Sequence, residues 1–397
     1  MAQFSLQTQS ALFKTKFGKL SENAYNSYNP MLGTIRKEYN FVGEDMKVAT
    51  PTFFSGGVGS GTLPTANPAS AVKATIVAKK VYATTEVQRE ALKASANDEG
   101  AFVQAMKWNV EKTVEAWNRN ASRILFHDGT GSLGQFSGNA TGTASAPVIT
   151  ITAASWVEGY WEENDYVNVN TLGSVWAVTE VIPSTRTIEL SRISGSDDLT
   201  AIGAGTHTVY MQNSKDNDPQ GLKGVCDATT GTLYNVNVAR RWQAVQIAAG
   251  GAGISEDIMN ELVIKIQAKC GKTPKKLVTS YTQYRKICNF LEDKKYYNIE
   301  PRAAELQGKI GWKALAYMSD GGELAIIPDR MCPDDRMYAV NTDFIWAYHR
   351  PDFGWFDDDG TVFLRKTGDD AYEARYGGYY ENYIIPSFQG VVTGLAT

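Results

Sequence analysis

Apolar residues recur at three- and four-residue steps over residues 97–126, as Phe102, Met106, Val110, Val114, Trp117, Ala121, Ile124 and Leu125. That period is helical. Asn97 or Asp98 is placed to cap the start, and Glu99 sits in the first turn, where the helix dipole favours a negative charge. His127, Asp128 and Gly129 end the pattern. At ~1.5 Å per residue the predicted helix is ~45 Å long. ISEDIMNELVIKIQAKCG predicts a second helix, capped by Ser255 and closed by Gly271. SYTQYRKICNFLEDKKYY predicts a third, with Ser280 as its cap.

Elsewhere the pattern is that of strands and turns. MKVATPTFF and AVKATIVAKKVYATTEVQRE flank a turn-rich stretch, so residues 46–90 predict a long β-hairpin. An isolated ribbon of that length is marginal in water and needs another surface to lie on. PVITIT, DYVNVNT, VWAVTEVIP, RTIEL and HTVYMQ are short β-runs separated by turns, so residues 136–215 predict a small barrel or sandwich inserted into the chain. Residues 216–340 mix two helices with the runs KKLVTS, KALAYMS, ELAIIPD and MYAVNTD. FIWAYHR, TVFLRK and EARYGGYYENYIIP return the chain to β structure. The fold class is α+β. Residues 1–45 scatter Phe4, Leu6, Leu12, Phe13, Phe17, Leu20, Tyr25 and Tyr28 among polar residues. They read as an arm that docks on something else.

The turn of the hairpin reads FFSGGVGSGTLPTANPAS and holds no charge. Gly56 and Gly61 have the spacing of a phosphate-binding loop, but Thr62 stands where the lysine is needed. Gly57 and Gly59 begin a dinucleotide fingerprint that Thr62 again breaks, and no helix follows to receive an anion. A mobile tip between strands is the expectation.

Composition is that of an ordinary globular chain: 397 residues, 43% hydrophobic and 21% charged, with a formal net charge of −4. This charge gives no reason to expect a DNA-binding or membrane surface. Neither a signal peptide nor an apolar membrane span is expected. Cys226, Cys270, Cys288 and Cys332 are scattered without a CxxC pair, which argues against zinc and for synthesis in a reducing cytosol. His127, His207 and His349 lie far apart, and neither GxSxG nor HExxH occurs. Asp357, Asp358 and Asp359 read as a solvated turn before Gly360, not a calcium loop. Arg240, Arg241 and Trp242 mix basic and aromatic groups as a nucleic-acid surface does, but one triplet in an acidic chain is little. Lys275, Lys276, Lys294 and Lys295 read as solvated ends of core elements. No catalytic, cofactor-binding or metal site is therefore assigned.

The order of parts resembles a known family, the major capsid proteins of tailed phages with the Hong Kong ninety-seven capsid fold. On that resemblance 1–45 is similar to the N-terminal arm, 46–90 to the E-loop hairpin, and 91–135 to the spine helix of the P-domain. Residues 216–345 are similar to the axial A-domain, and 346–397 to C-terminal β segments shared by the A- and P-domains. The β-rich stretch 136–215 is an addition similar to the inserted domains of some members. The resemblance implies a non-enzymatic shell protein that assembles with itself as hexamers and pentamers around double-stranded DNA. It implies a place in the virion after synthesis in the host cytoplasm. A separate scaffolding protein, a portal and a decoration protein are implied partners, with no membrane. The E-loop lysine that some members crosslink has no counterpart in the tip over 55–70. Two other readings stay open: an encapsulin-like bacterial compartment, and a carbohydrate- or nucleotide-active enzyme with a β accessory domain.

Overall fold

The computed structural model describes residues 30–53, 61, 70–89, 99–170, 172–239, 241–293, 315–319, 322–350, 353–356 and 362–397. Most of the arm, the hairpin tip, the Asn97/Asp98 cap, Arg240, Lys294, Lys295 and the Asp357–Asp359 turn lie outside the described residues.

The 14-residue strand Ala371–Ile384 is the axis of the first sheet. Ile345–His349, Lys79–Gln88, Gly354–Trp355 and Phe363–Arg365 all pair with it antiparallel. Arg36–Glu38 adds in parallel to Ile345–His349. Close pairing requires glycine at the strand's middle. A Cβ on Gly377 would lie 2.2 Å from the Val81 carbonyl oxygen, and one on Gly378 would lie 2.7 Å from the Phe353 ring. The long helix, α1 (Glu99–Leu125), packs across this sheet. Val114, Trp117, Ala121, Ile124 and Leu125 are all buried, as their spacing predicts. Trp117 anchors the contact. Its ring centroid is 4.1 Å from that of Phe353, it meets Tyr376 edge-on, and its Nε1 donates to the Val81 carbonyl at 3.4 Å.

The inserted stretch is a seven-stranded antiparallel sheet. Its order is Ser132–Ser137, Thr206–Met211, Tyr166–Val169, Val175–Ile182, Thr187–Ser194, Pro147–Thr150 and Thr141–Gly142. A bridge between Phe136 and Ile151, with the Thr152 amide donating to Gln135 O at 2.8 Å, joins its two sides into a small barrel. Val167, Val169, Trp176, Ile188 and Val209 fill the interior at alternate positions. The barrel begins at Ser132, four residues before the predicted boundary, because its first strand SLGQFS carries few β-formers and its membership is decided by pairing.

The third sheet runs Val245–Ala248, Gly390–Thr393, Met337–Val340, Lys276–Thr279, Gly322–Pro328 and Leu315–Ser319. The last strand of the chain thus lies inside it. Helices α2 (Glu256–Cys270) and α3 (Tyr281–Asp293) accompany this sheet. The Ser255 hydroxyl accepts from the Ile258 amide, and Gly271 closes α2 at φ +66°. The Ser280 hydroxyl caps α3 by accepting from the Gln283 amide. All three caps are the ones the sequence predicts.

Trp117→Ala should destabilise the unassembled chain by about 3–5 kcal/mol, because the cavity between helix and sheet cannot close. Denaturant unfolding followed by tryptophan fluorescence measures it.

Candidate functional site

Two features stand out once the elements are placed: a ribbon only half covered by its own chain, and a buried polar junction that fixes its base. The ribbon pairs Asp45–Phe53 with Ser70–Val77 as a separate two-stranded sheet. The returning run, expected as one arm to residue 90, divides at Ala78. Lys79–Gln88 leaves the hairpin and joins the sheet of Ala371–Ile384. Ten residues of that run therefore belong to the body, and the ribbon is shorter than the sequence predicts.

The ribbon's root is tied down. The Thr75 amide donates to the Tyr234 carbonyl at 2.8 Å, and the Thr50 and Tyr383 hydroxyls share a 3.2 Å hydrogen bond. Met46 and Val48 pack on the core. Along one face of the return strand, Ile76 and Ala74 are fully buried, while Val72, the next residue on that face, is 38% exposed. Ala71 and Lys73 are exposed as well. Among the described residues, full burial along this face therefore stops at Ala74, and Val72 beyond it keeps part of its side chain in solvent.

The junction lies at the C-terminal end of α1. Arg123 is buried, its Nη2 donating to Asp218 Oδ2 at 2.6 Å and, with Nε, to Asn120 Oδ1. Asp218 belongs to the segment by which the chain leaves the barrel. Gln220 follows: its amide donates to Glu381 Oε1 at 2.6 Å, and its carbonyl accepts from Asn382 Nδ2 at 2.9 Å. Gly221 then rests on the helix end. A Cβ there would stand 2.2 Å from Ile124 O and 2.4 Å from His127 O, so no other residue fits. Arg336 Nη1 holds both Asp227 oxygens at 2.7 Å, carrying the tie into the third sheet. Arg119, one helical turn before Arg123, binds Glu162 and both Asp165 oxygens of the barrel. The barrel also touches the loop after the Gly322–Pro328 strand, where Gly159 sits against Arg330 O and Met331 Sδ.

Burial pulls the His127 imidazole below its usual range, so it is neutral at neutral pH. Burial works against ionisation of Asp128 too, but His127, Lys223 and Thr130 outweigh it and hold the carboxyl well below the usual range. These residues brace the turn after α1.

The residues weighed in the sequence for chemistry are not brought together. His127 ends α1, His207 is in the barrel, and His349 is in the first sheet. Trp242 is buried, its Nε1 donating to Leu233 O, so it is a core residue and not a base-stacking platform. Lys275 binds Asp343 together with Arg36. Cys226 and Cys332 are buried thiols. Among the described residues no group of three His, Cys, Asp or Glu is placed to hold a metal, and no helix is long and apolar enough to cross a membrane. Arg123, Asp218, Gly221 and Glu381 were not singled out in the sequence. The available signal was a charged residue, Arg123, at a position flanked by the buried stripe of α1.

Residues 201–376 match the model of the SU10 major capsid protein family. Over 93% of both chains the structure is similar to a subunit of the cyanophage A-1(L) capsid, with a TM-score of 0.55 at 10% identity. The chain has the fold of tailed-phage capsid proteins. A protein of Mycobacterium phage Bobi is also similar, at TM-score 0.45 and 10% identity over 92% of this chain and 90% of that one. So is the holo-SrpI encapsulin of Synechococcus elongatus, at TM-score 0.45 and 7% identity over 93% and 89%. No curated protein sequence matches the chain.

Arg123→Met should cost about 3–5 kcal/mol, because Asp218 is left buried without its cation. The double variant Arg123→Met with Asp218→Leu should recover most of that loss. A double-mutant cycle by denaturant unfolding reads the coupling.

Proposed function

We propose that the half-covered ribbon is completed by a neighbouring subunit, and that this contact, repeated round hexamers and pentamers, closes a shell around double-stranded DNA. The observation that carries the reading is the run of burial along the return strand, from the fully buried Ile76 and Ala74 to Val72, which is partly in solvent. An apolar strand edge left like this invites pairing with another chain. The short, folded root supplies a fixed direction, so the ribbon reaches a neighbour without a large ordering cost. On this reading the N-terminal arm adds a second such contact, its root held in the body by the buried Met31, Leu32, Ile35 and Phe41. At ~25 cal/mol per Å² of apolar area, contacts of this kind are modest one by one and decisive when repeated. The protein is a component of the virion. Synthesis in the host cytoplasm, a separate scaffolding protein, a portal and a decoration protein complete the reading, with no catalytic role for the chain.

Val72→Glu should leave the subunit's unfolding free energy within about 0.5 kcal/mol of the parent, since the position is already partly solvated. It should abolish closed shells seen by electron microscopy after expression with the phage's morphogenesis proteins. Shells formed at parental yield would remove the ribbon from the assembly contact. Particles that hold an enzyme and no DNA would favour the compartment reading.

A further inference from the structure

The junction buries more acid than base. Asp218 and Glu381 are both buried, and the one fully buried cation beside them, Arg123, is committed to Asp218 at 2.6 Å. Glu381 instead receives peptide donors, the amides of Gln220 and Asn382. The surrounding groups are known from each element packed there. Lys79, on the adjacent strand, is only half buried and directs its Nζ to the Asp216 carbonyl at 3.3 Å. Asp218 comes from the barrel exit. Tyr234 offers its hydroxyl to the Asn382 carbonyl. Tyr348, on the paired strand, stands opposite Glu381. The charges at the helix end, Asp128 and Lys223, are bound to each other at 2.9 Å, and His127 is neutral beside them. An ionised Glu381 would thus be a second buried anion without a dedicated cation.

We propose that Glu381 holds a proton in the folded subunit, and that its neutral carboxyl keeps a second anion out of the cluster that ties the barrel exit, Asp216–Gly221, to the central strand. Loss of the proton to solvent hydroxide puts two like charges into one buried cluster and loosens the connection between barrel, helix and strand. Burial, reinforced by Asp218, pushes the Glu381 carboxyl up to about 8, against the opposing pull of its amide donors and Lys79. The direction follows from linkage. Between the ordinary glutamate range and that value the folded chain binds more protons than the unfolded one, so this group's stabilisation is complete in acid and is lost as pH rises. The inference concerns the single subunit and needs no shell.

The test uses the full unassembled chain and compares it with Glu381→Gln, a neutral side chain of the same shape. Infrared difference spectra between about pH 6 and pH 9.5 should show a protonated buried carboxyl disappearing in the parent and absent from the variant. The parent's melting midpoint should fall by several degrees more than the variant's across that interval. Asp329 is a second buried carboxyl that burial raises, so Asp329→Asn serves as the control and should keep the band; should Glu381→Gln not fold, the titrations of the parent and of Asp329→Asn decide. A parent spectrum without that band at about pH 6, or a Glu381→Gln chain with the parent's pH profile, overturns the proposal.

Discussion

The ion pair between Arg123 and Asp218 is the constraint on which the rest of the molecule hangs. It joins the end of α1 to the segment leaving the barrel. Within three residues of Asp218, Gly221 seats on the helix's terminal carbonyls and Gln220 is clamped between Glu381 and Asn382. One short stretch therefore fixes helix, barrel and central strand to each other. Such a pair contributes little net stability over an apolar replacement, because two charges must be desolvated to make it. Its value here is geometric: the guanidinium accepts one arrangement of its partners, and a greasy contact would accept several.

Rigidity of that body gives the ribbon its meaning. A two-stranded ribbon is marginal alone. Its root borrows order from Tyr234 and Tyr383, which stand on the same framework as the junction. Beyond Ala74 the described strand is no longer fully buried, and Val72 is 38% exposed. A shell subunit needs this combination, a stiff body that sets angles and an extension whose last partner is another copy.

Local patterns made much of this legible. Helices α1, α2, α3 and all three described caps follow from apolar spacing and from Ser255, Ser280 and Gly271, because helix signals are local. The barrel was visible as short β-runs, since inward positions alternate. What the sequence could not show depends on long-range partners. Lys79–Gln88 is the same kind of β-run as the ribbon that precedes it, and only its pairing with Ala371–Ile384, some 290 residues on, separates the two. The junction was hidden for the same reason. Arg123, Asp218 and Glu381 look like ordinary surface charges until the fold buries them together. Trp242 beside Arg241 is the opposite case, an aromatic next to a surface charge whose indole lies in the core.

Amide hydrogen exchange on the ribbon, measured in the unassembled subunit and in closed shells, tests the central claim most directly. Ala74–Ile76 should be protected in both states, and the amides of Ala71 and Lys73, which face away from the paired strand, should gain protection only in the shell. Equal protection of Ala71 and Lys73 in the free subunit would mean that the chain covers its own ribbon, and that shells are held together elsewhere.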